Sequence, residues 1–230
     1  MNKIKGIKAI SFDGDGTLWD FEKVMRHSLQ HALKELKRID PPTAAMLDVE
    51  GMIKIRNGVA KELKGTVTNL EEIRLEAFRQ TLKNIGRPNE TLAFHLNRVY
   101  LKHRFEEIEL FADVLPALEV LKGTYSLGLV SNGNSYPERC GLEGIFKFVV
   151  FSQDYRIEKP NPELFHIAVD KAGCSKEQLL HAGDSLVDDI LGAGNAGIKC
   201  VWLNRKRMKN DSGIKIDYEI HSLLELLEIL

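Results

Sequence analysis

An α/β fold, with a parallel sheet of at least five strands interrupted near its start by an all-helical insert, follows from three features of this 230-residue chain. From about Phe111 to the C-terminus, short apolar runs rich in β-branched or aromatic residues alternate with helical stretches. One further run of that kind, Ile7–Phe12, stands alone near the N-terminus. Between the two, from about Phe21 to Leu110, no convincing strand occurs and Lys, Glu, Leu, Arg and Ala dominate. Strands alternating with helices build βαβ units, whose right-handed crossovers cover both faces of a parallel sheet.

Taken in order, Ile7–Phe12 reads as the first buried strand. The insert then predicts helices at Glu22–Arg38, Thr43–Leu63, Leu70–Asn84 and Glu90–Phe105. Asp40-Pro41-Pro42, the Gly65–Asn69 turn and Gly86-Arg87-Pro88 separate them as breakers. Beyond the insert come a helix at Leu115–Lys122, strands at Tyr125–Val130 and Phe148–Phe151, and a helix at Pro162–Ala172. A strand at Leu179–Ala182, a helix at Leu186–Ala196 and a strand at Lys199–Leu203 complete the series. The expected architecture is a Rossmann-like parallel-sheet core formed by residues 1–18 and 111–230, with residues 19–110 as a separate helical domain.

Composition narrows the function. The chain is 43% hydrophobic and 28% charged with a formal net charge of -1, so no bulk electrostatic attraction to nucleic acid or an anionic membrane is expected. The basic cluster Arg205, Lys206, Arg207 and Lys209 is short and precedes a turn, which reads as a solvated loop. Cys140, Cys174 and Cys200 lack metal-ligand spacing and read as reduced thiols. No apolar run approaches the ~20 residues a membrane span needs, and the N-terminus lacks a signal-peptide run. A cytoplasmic location is expected.

The chemistry gathers at strand ends, where open parallel sheets bind ligands. After Ile7–Phe12 come Asp13-Gly14-Asp15-Gly16, two carboxylates one residue apart in a glycine-rich loop. Their mutual repulsion calls for a positive guest, such as magnesium shared with a phosphate. Alone, the same tetrapeptide serves equally well as a tight turn. After Tyr125–Val130 come Ser131-Asn132-Gly133, a hydroxyl and backbone N–H groups suited to phosphate oxygens. Past Phe148–Phe151 lies Lys159-Pro160-Asn161-Pro162. Asn161 and Pro162 suit an N-cap and first helical position, and Pro160 keeps Lys159 extended. After Leu179–Ala182 come Gly183-Asp184, with Asp188 and Asp189 a helical turn later.

In that order these four motifs resemble the haloacid dehalogenase-like (HAD) superfamily, whose members are mostly aspartate-based phosphohydrolases. The resemblance spans the chain, the insert corresponding to a helical cap. It implies Asp13 as the nucleophile that becomes an aspartyl-phosphate, and Asp15 as the acid and then the base. Ser131, Asn132, Gly133 and Lys159 would hold the phosphoryl group. Magnesium would be held by Asp13, the Asp15 carbonyl and Asp184, with Asp189, or Asp188, orienting its waters. The implied substrate is a small phosphorylated metabolite, its leaving alcohol chosen by the cap. Neither that alcohol nor the oligomeric state is written in the core motifs.

Three other readings use the same scaffold. A 2-haloacid dehalogenase attacks carbon and needs no acid at position 15, so Asp15 argues against it. A sugar phosphomutase needs the same core, with a cap that excludes water. A phosphate-binding regulatory module would be marked by substitution of Asp13 or Asp184, and neither is substituted. Elsewhere, His27 and His31 share a helical face without an evident third ligand and read as a surface pair. Trp19 and Trp202 read as packing residues, with Trp19 also a candidate for substrate contact. Arg56 and Asn57 sit in a polar break of the insert that could face the site.

Overall fold

The computed structural model describes residues 3–67 and 69–230. Met1 and Asn2, inside the expected 1–18 core segment, and Thr68, inside the expected Gly65–Asn69 turn, lie outside the described residues. The chain divides into two compact units, Met1–Asp20 with Glu109–Leu230, and Phe21–Ile108.

The first unit holds, among the described residues, a six-stranded parallel sheet. Its strands are β1 (Ala9–Phe12), β2 (Ser126–Ser131), β3 (Phe148–Phe151), β4 (Leu179–Gly183), β5 (Lys199–Leu203) and β6 (Glu219–Ile220), in the order β3-β2-β1-β4-β5-β6. β1 is central because all four of its residues are buried and can face helices on both sides. It pairs with β2 in the register Phe12↔Leu129 and with β4 in the register Phe12↔Ala182. The chain therefore reverses its direction of winding across β1 and β4, which opens a crevice beyond their carboxyl ends. β6 escapes sequence reading because it has two residues, matched to Trp202 and Leu203 of β5.

The second unit contains α1 (Phe21–Ile39), α2 (Pro41–Ala44), α3 (Val49–Leu63), α4 (Leu70–Asn84) and α5 (Glu90–Glu106). α1 buries Met25, Leu29, Ala32 and Leu36, spaced four, three and four residues apart as one helical stripe. That stripe joins Phe78 and Leu82 of α4 and Ala93, Leu96 and Tyr100 of α5 in one apolar cluster. A buried side chain of this size contributes roughly 1.5–3 kcal/mol. A smaller cluster of Val59, Ile73 and Ala77 ties α3 to α4. His27 is exposed, whereas His31 lies against α5 with its ring stacked on His103.

Two expectations change here. The continuous helix expected over Thr43–Leu63 breaks after Ala44 and restarts at Val49, where the Asp48 side chain accepts the Gly51 N–H at 2.7 Å as N-cap. Apolar periodicity runs through the break and hides it. Asp40-Pro41-Pro42 does end α1, at Ile39, and the same prolines begin α2, with Asp40 as its cap. Arg56 and Asn57 therefore lie inside α3 rather than in a polar break.

The first unit continues with α6 (Val114–Leu121), α7 (Ser152–Tyr155), α8 (Pro162–Ala172), α9 (Gly192–Asn195) and α10 (Leu226–Ile229). Leu164, Phe165 and Ala168 of α8 pack with Val130, Val150 and Leu179 from the sheet. Among the described residues no helix is long and apolar enough to cross a membrane.

The break at Asp48 has a test whose sign is diagnostic. In a continuous helix Asp48→Ala would stabilise through better propensity. As the loss of an N-cap, it is expected to destabilise by about 1 kcal/mol in urea unfolding.

Candidate active site

Asp13 is the first residue past β1, and its N–H still donates to Ala182 O at 2.9 Å, so the strand ladder fixes its position. Lys159, following β3 and just ahead of α8, reaches back with its Nζ 2.6 Å from Asp13 Oδ1 and 2.6 Å from Asp189 Oδ1. Lys159 is 1% exposed, and both carboxylates are buried. Burying an ammonium is tolerable only when it is paired. Two carboxylates do so here, tying together three loops at the carboxyl end of the sheet.

Asn132 fixes the direction of that lysine. Its side-chain Oδ1 accepts the Lys159 N–H at 2.8 Å and its Nδ2 donates to Lys159 O at 3.1 Å. Asn161 caps α8 by accepting the Glu163 N–H. Buried Ser131 accepts the Gly133 N–H at 2.9 Å, so in this structure that N–H is engaged by the hydroxyl. A Cβ on Gly133 would come within 3.0 Å of Asp15 Oδ2 and 3.1 Å of Ser131 Oγ, so these two side chains converge on one glycine.

The other end of Asp15 is held by Trp19, whose Nε1 donates to Asp15 Oδ1 at 2.5 Å. Trp19 is thus both buried packing and a hydrogen-bond donor. Gly16 has φ +89°, and a Cβ there would lie 2.4 Å from Asp184 Oδ2, so only glycine lets the two loops meet so closely. Asp184 Oδ1 accepts the Thr17 hydroxyl at 3.3 Å, and its backbone carbonyl accepts Trp202 Nε1 at 2.9 Å.

The helix expected over Leu186–Ala196 opens instead as a π-wound turn, Leu186–Leu191. Ser185 O accepts from both Asp189 N and Ile190 N, and this wider winding accompanies the burial of Asp189. Asp189 accepts from Lys159, from Ser185 N at 3.0 Å and from His181 Nε2 at 3.1 Å. The carboxylate fixes the tautomer of this buried histidine: Nε2–H donates to it, leaving Nδ1 to accept the Ser11 hydroxyl at 2.9 Å. Asp188 does not join the converging carboxylates; its N–H caps the turn on Ser185 Oγ.

Sequence reading missed His181, Ser11 and Arg205. The first two look like ordinary strand residues. Arg205, expected to be solvated, is half-buried, donates to Thr17 O at 2.9 Å and Asp113 Oδ2 at 2.9 Å, and lies over the Phe111 ring. Asp113 in turn accepts from Ser222 and from Leu223 N.

The three carboxylates titrate differently because their donors differ. Burial alone would raise Asp189, but the Lys159 charge and the His181 hydrogen bond hold it well below the usual carboxylate range. Asp13 shares the same lysine yet lies well above that range, through burial first and then the charges of Asp189 and Asp184. Asp189 takes the depression because it has the additional donors. Asp184 opens to solvent, but crowding by protein and then the Asp189 charge push it up to about 6. For Lys159, burial is outweighed by Asp13 and Asp189, and the ammonium stays above its ordinary value.

Carboxylate oxygens of Asp13, Asp184 and Asp189 lie within 4.8 Å of one another. Their negative charge exceeds what Lys159 offsets, and the two acids with raised pKa values mark where compensation is missing. A hard, oxygen-preferring divalent cation fits that donor set.

The raised Asp184 predicts a pH dependence for the metal-free protein. A carboxyl with a raised folded-state pKa binds more protons folded than unfolded, so stability falls as pH rises from about 4 to about 6 and then levels. Asp184→Asn should therefore raise the melting temperature at pH 7 in the presence of chelator. That gain should shrink toward pH 4. A variant less stable than wild type at pH 7 would contradict the reading.

The haloacid dehalogenase-like hydrolase profile matches residues 7–197. The glyceraldehyde 3-phosphate phosphatase of Methanopyrus kandleri is 28% identical, the alignment covering 97% of each chain. The structure of a 2-haloacid dehalogenase from Pseudomonas syringae pv. Tomato DC3000 superposes with a TM-score of 0.79 at 31% identity, covering 97% of each chain. The HAD-hydrolase YfnB of Bacillus subtilis, solved bound to magnesium, gives a TM-score of 0.78 at 27% identity over 98% of this chain and 99% of that one. With the profile spanning most of its length, and the four strand-end motifs set around one crevice, the chain belongs to the haloacid dehalogenase-like hydrolase family.

Proposed function

We propose that this hydrolase is a magnesium-dependent phosphatase that cleaves a small phosphomonoester through an aspartyl-phosphate. The observation that carries the reading is the second carboxylate, Asp15, held by Trp19 beside Ser131. Attack on carbon with halide departure needs no proton donor, whereas an alkoxide leaving phosphorus does. The dehalogenase likeness therefore supports the fold, and Asp15 supports the phosphoryl chemistry.

Asp13 attacks phosphorus through a carboxylate oxygen as the bond to the leaving oxygen breaks. Asp15 gives that oxygen its proton, the alcohol departs, and Asp15 is left ionised. In the second half Asp15 takes a proton from water, water oxygen bonds to phosphorus, and the bond to Asp13 breaks to release inorganic phosphate. Lys159 and Ser131 hold the phosphoryl oxygens, with backbone N–H groups of Asn132 and Gly133 turned to it once Ser131 donates to substrate. Asp189 keeps Lys159 charged and aimed. Asp13, Asp184 and the Asp15 carbonyl would hold magnesium, with Asp189 orienting its waters. When bound, the cation keeps Asp13 ionised and offsets charge on the phosphoryl group. In this reading residues 19–110 act as a cap that selects the alcohol, and residues 1–18 and 111–230 form the catalytic core. The free thiols of Cys140, Cys174 and Cys200 support a reducing, cytoplasmic setting.

A panel of phosphomonoesters assayed for inorganic phosphate, beside 2-chloropropionate assayed for chloride, tests the proposal. Phosphate release that needs magnesium is expected. Asp13→Asn should lower kcat by roughly 10³-fold or more, and Asp15→Asn by about 10²–10⁴-fold. Chloride release without phosphate release would reverse the assignment.

A further inference from the structure

We infer that His31, His103 and Glu107 form a second metal site, selective for a borderline divalent transition ion such as zinc, that clasps α1 to α5. His31 projects from the middle of α1, and His103 from the last turns of α5. Glu107 follows α5 directly, four residues after His103, which puts both on one helical face. Both rings meet the same carboxylate oxygen: His103 Nδ1 lies 2.8 Å and His31 Nε2 3.3 Å from Glu107 Oε1. One potential ligand atom from each residue lies within 4.8 Å of the others.

The donor set decides the ion. Two imidazole nitrogens and one carboxylate are the ligand types of three-residue zinc sites that keep a fourth position for water. Magnesium prefers oxygen alone, so this site and the Asp13–Asp184 cluster differ in the ions they select. The three side chains are 38%, 21% and 33% exposed, which leaves water and an ion a route in. A carboxylate oxygen only accepts, so His103 presents its Nδ1–H to it, with His31 Nε2 close by. Ligation needs a bare ring nitrogen, so on binding the ion replaces the proton at each ligating atom, each imidazole carries its single proton on the other nitrogen, and any surplus proton passes to water.

One adjustment is required. The rings are stacked, with centroids 3.6 Å apart and planes within 9° of parallel. Ligand lone pairs lie in the ring planes, so both rings must turn about their side-chain bonds to converge on one ion. Opening of the stack is thus a specific mark of binding. His27 and His31 share a helix, whereas the partners of His31 are His103 in α5 and Glu107 just after it.

The test uses the whole protein, stripped with chelator and then saturated with magnesium so that the carboxylate cluster is filled. Titration with zinc by calorimetry should show one additional ion per chain, lost in both His31→Gln and His103→Gln, and the melting temperature should rise with zinc only in wild type. Imidazole proton resonances of His31 and His103 in unmodified protein should shift as the stack opens, which needs no variant to fold; Glu107→Gln should weaken binding. Zinc uptake unchanged in the two histidine variants, or no histidine shift in wild type at saturating zinc, would overturn the site. Phosphatase activity plays no part in either readout.

Discussion

The buried ammonium of Lys159 is the constraint around which the site is organised. It lies between Asp13, at the end of β1, and Asp189, in the turn after β4, and its own segment follows β3. No covalent link joins these three loops, and each carries a charge that could not be buried alone. Removing one partner of a buried pair typically costs about 3–5 kcal/mol, because the remaining charge keeps its desolvation penalty. Here the loss of the lysine would strand two carboxylates beside a third. The arrangement therefore ties correct folding at the carboxyl end of the sheet to the assembly of the proposed catalytic group.

Around that pair, nearly every polar side chain is positioned by a second residue. Asn132 grips both backbone groups of Lys159, Trp19 holds Asp15, and Trp202 holds the carbonyl of Asp184. Ser11 and His181 form a buried chain ending on Asp189. Groups set in advance need little reorganisation when charge develops, the usual source of catalytic advantage in phosphoryl chemistry. The same chain of donors separates the acids: Asp189 is saturated and ionised, while Asp13 and Asp184 are left short of positive charge.

The fold was largely legible because its signals are local and strong: five buried strands punctuated by polar loops, and helices broken by Gly and Pro. The strand-end residues were legible because sheet topology gathers them, so four weak motifs reinforce one another. What escaped was non-local or locally disguised. Nothing around Arg205 distinguishes it from its solvated neighbours; only the fold brings it to Thr17 and Asp113. His181 alternates into a strand like any core residue. The π-wound turn after β4 has the composition of an ordinary helix start, and the break before α3 is masked by continuing periodicity. β6 is too short to carry a pattern.

The central place of β1 has a consequence for synthesis. Its hydrogen-bonding neighbours, β2 and β4, lie beyond the whole helical unit, at Ser126–Ser131 and Leu179–Gly183. At translation rates of about 5–20 residues per second, the stretch between β1 and the end of β4 takes on the order of ten to thirty seconds to emerge. Until β2 emerges the fully buried β1 has no strand partner, and until β4 emerges it has only one. Phe21–Ile108, whose contacts are largely its own, is complete long before. The helical unit thus has the opportunity to fold first on the ribosome, while β1 waits as a bare, aggregation-prone segment that a chaperone would be expected to shield.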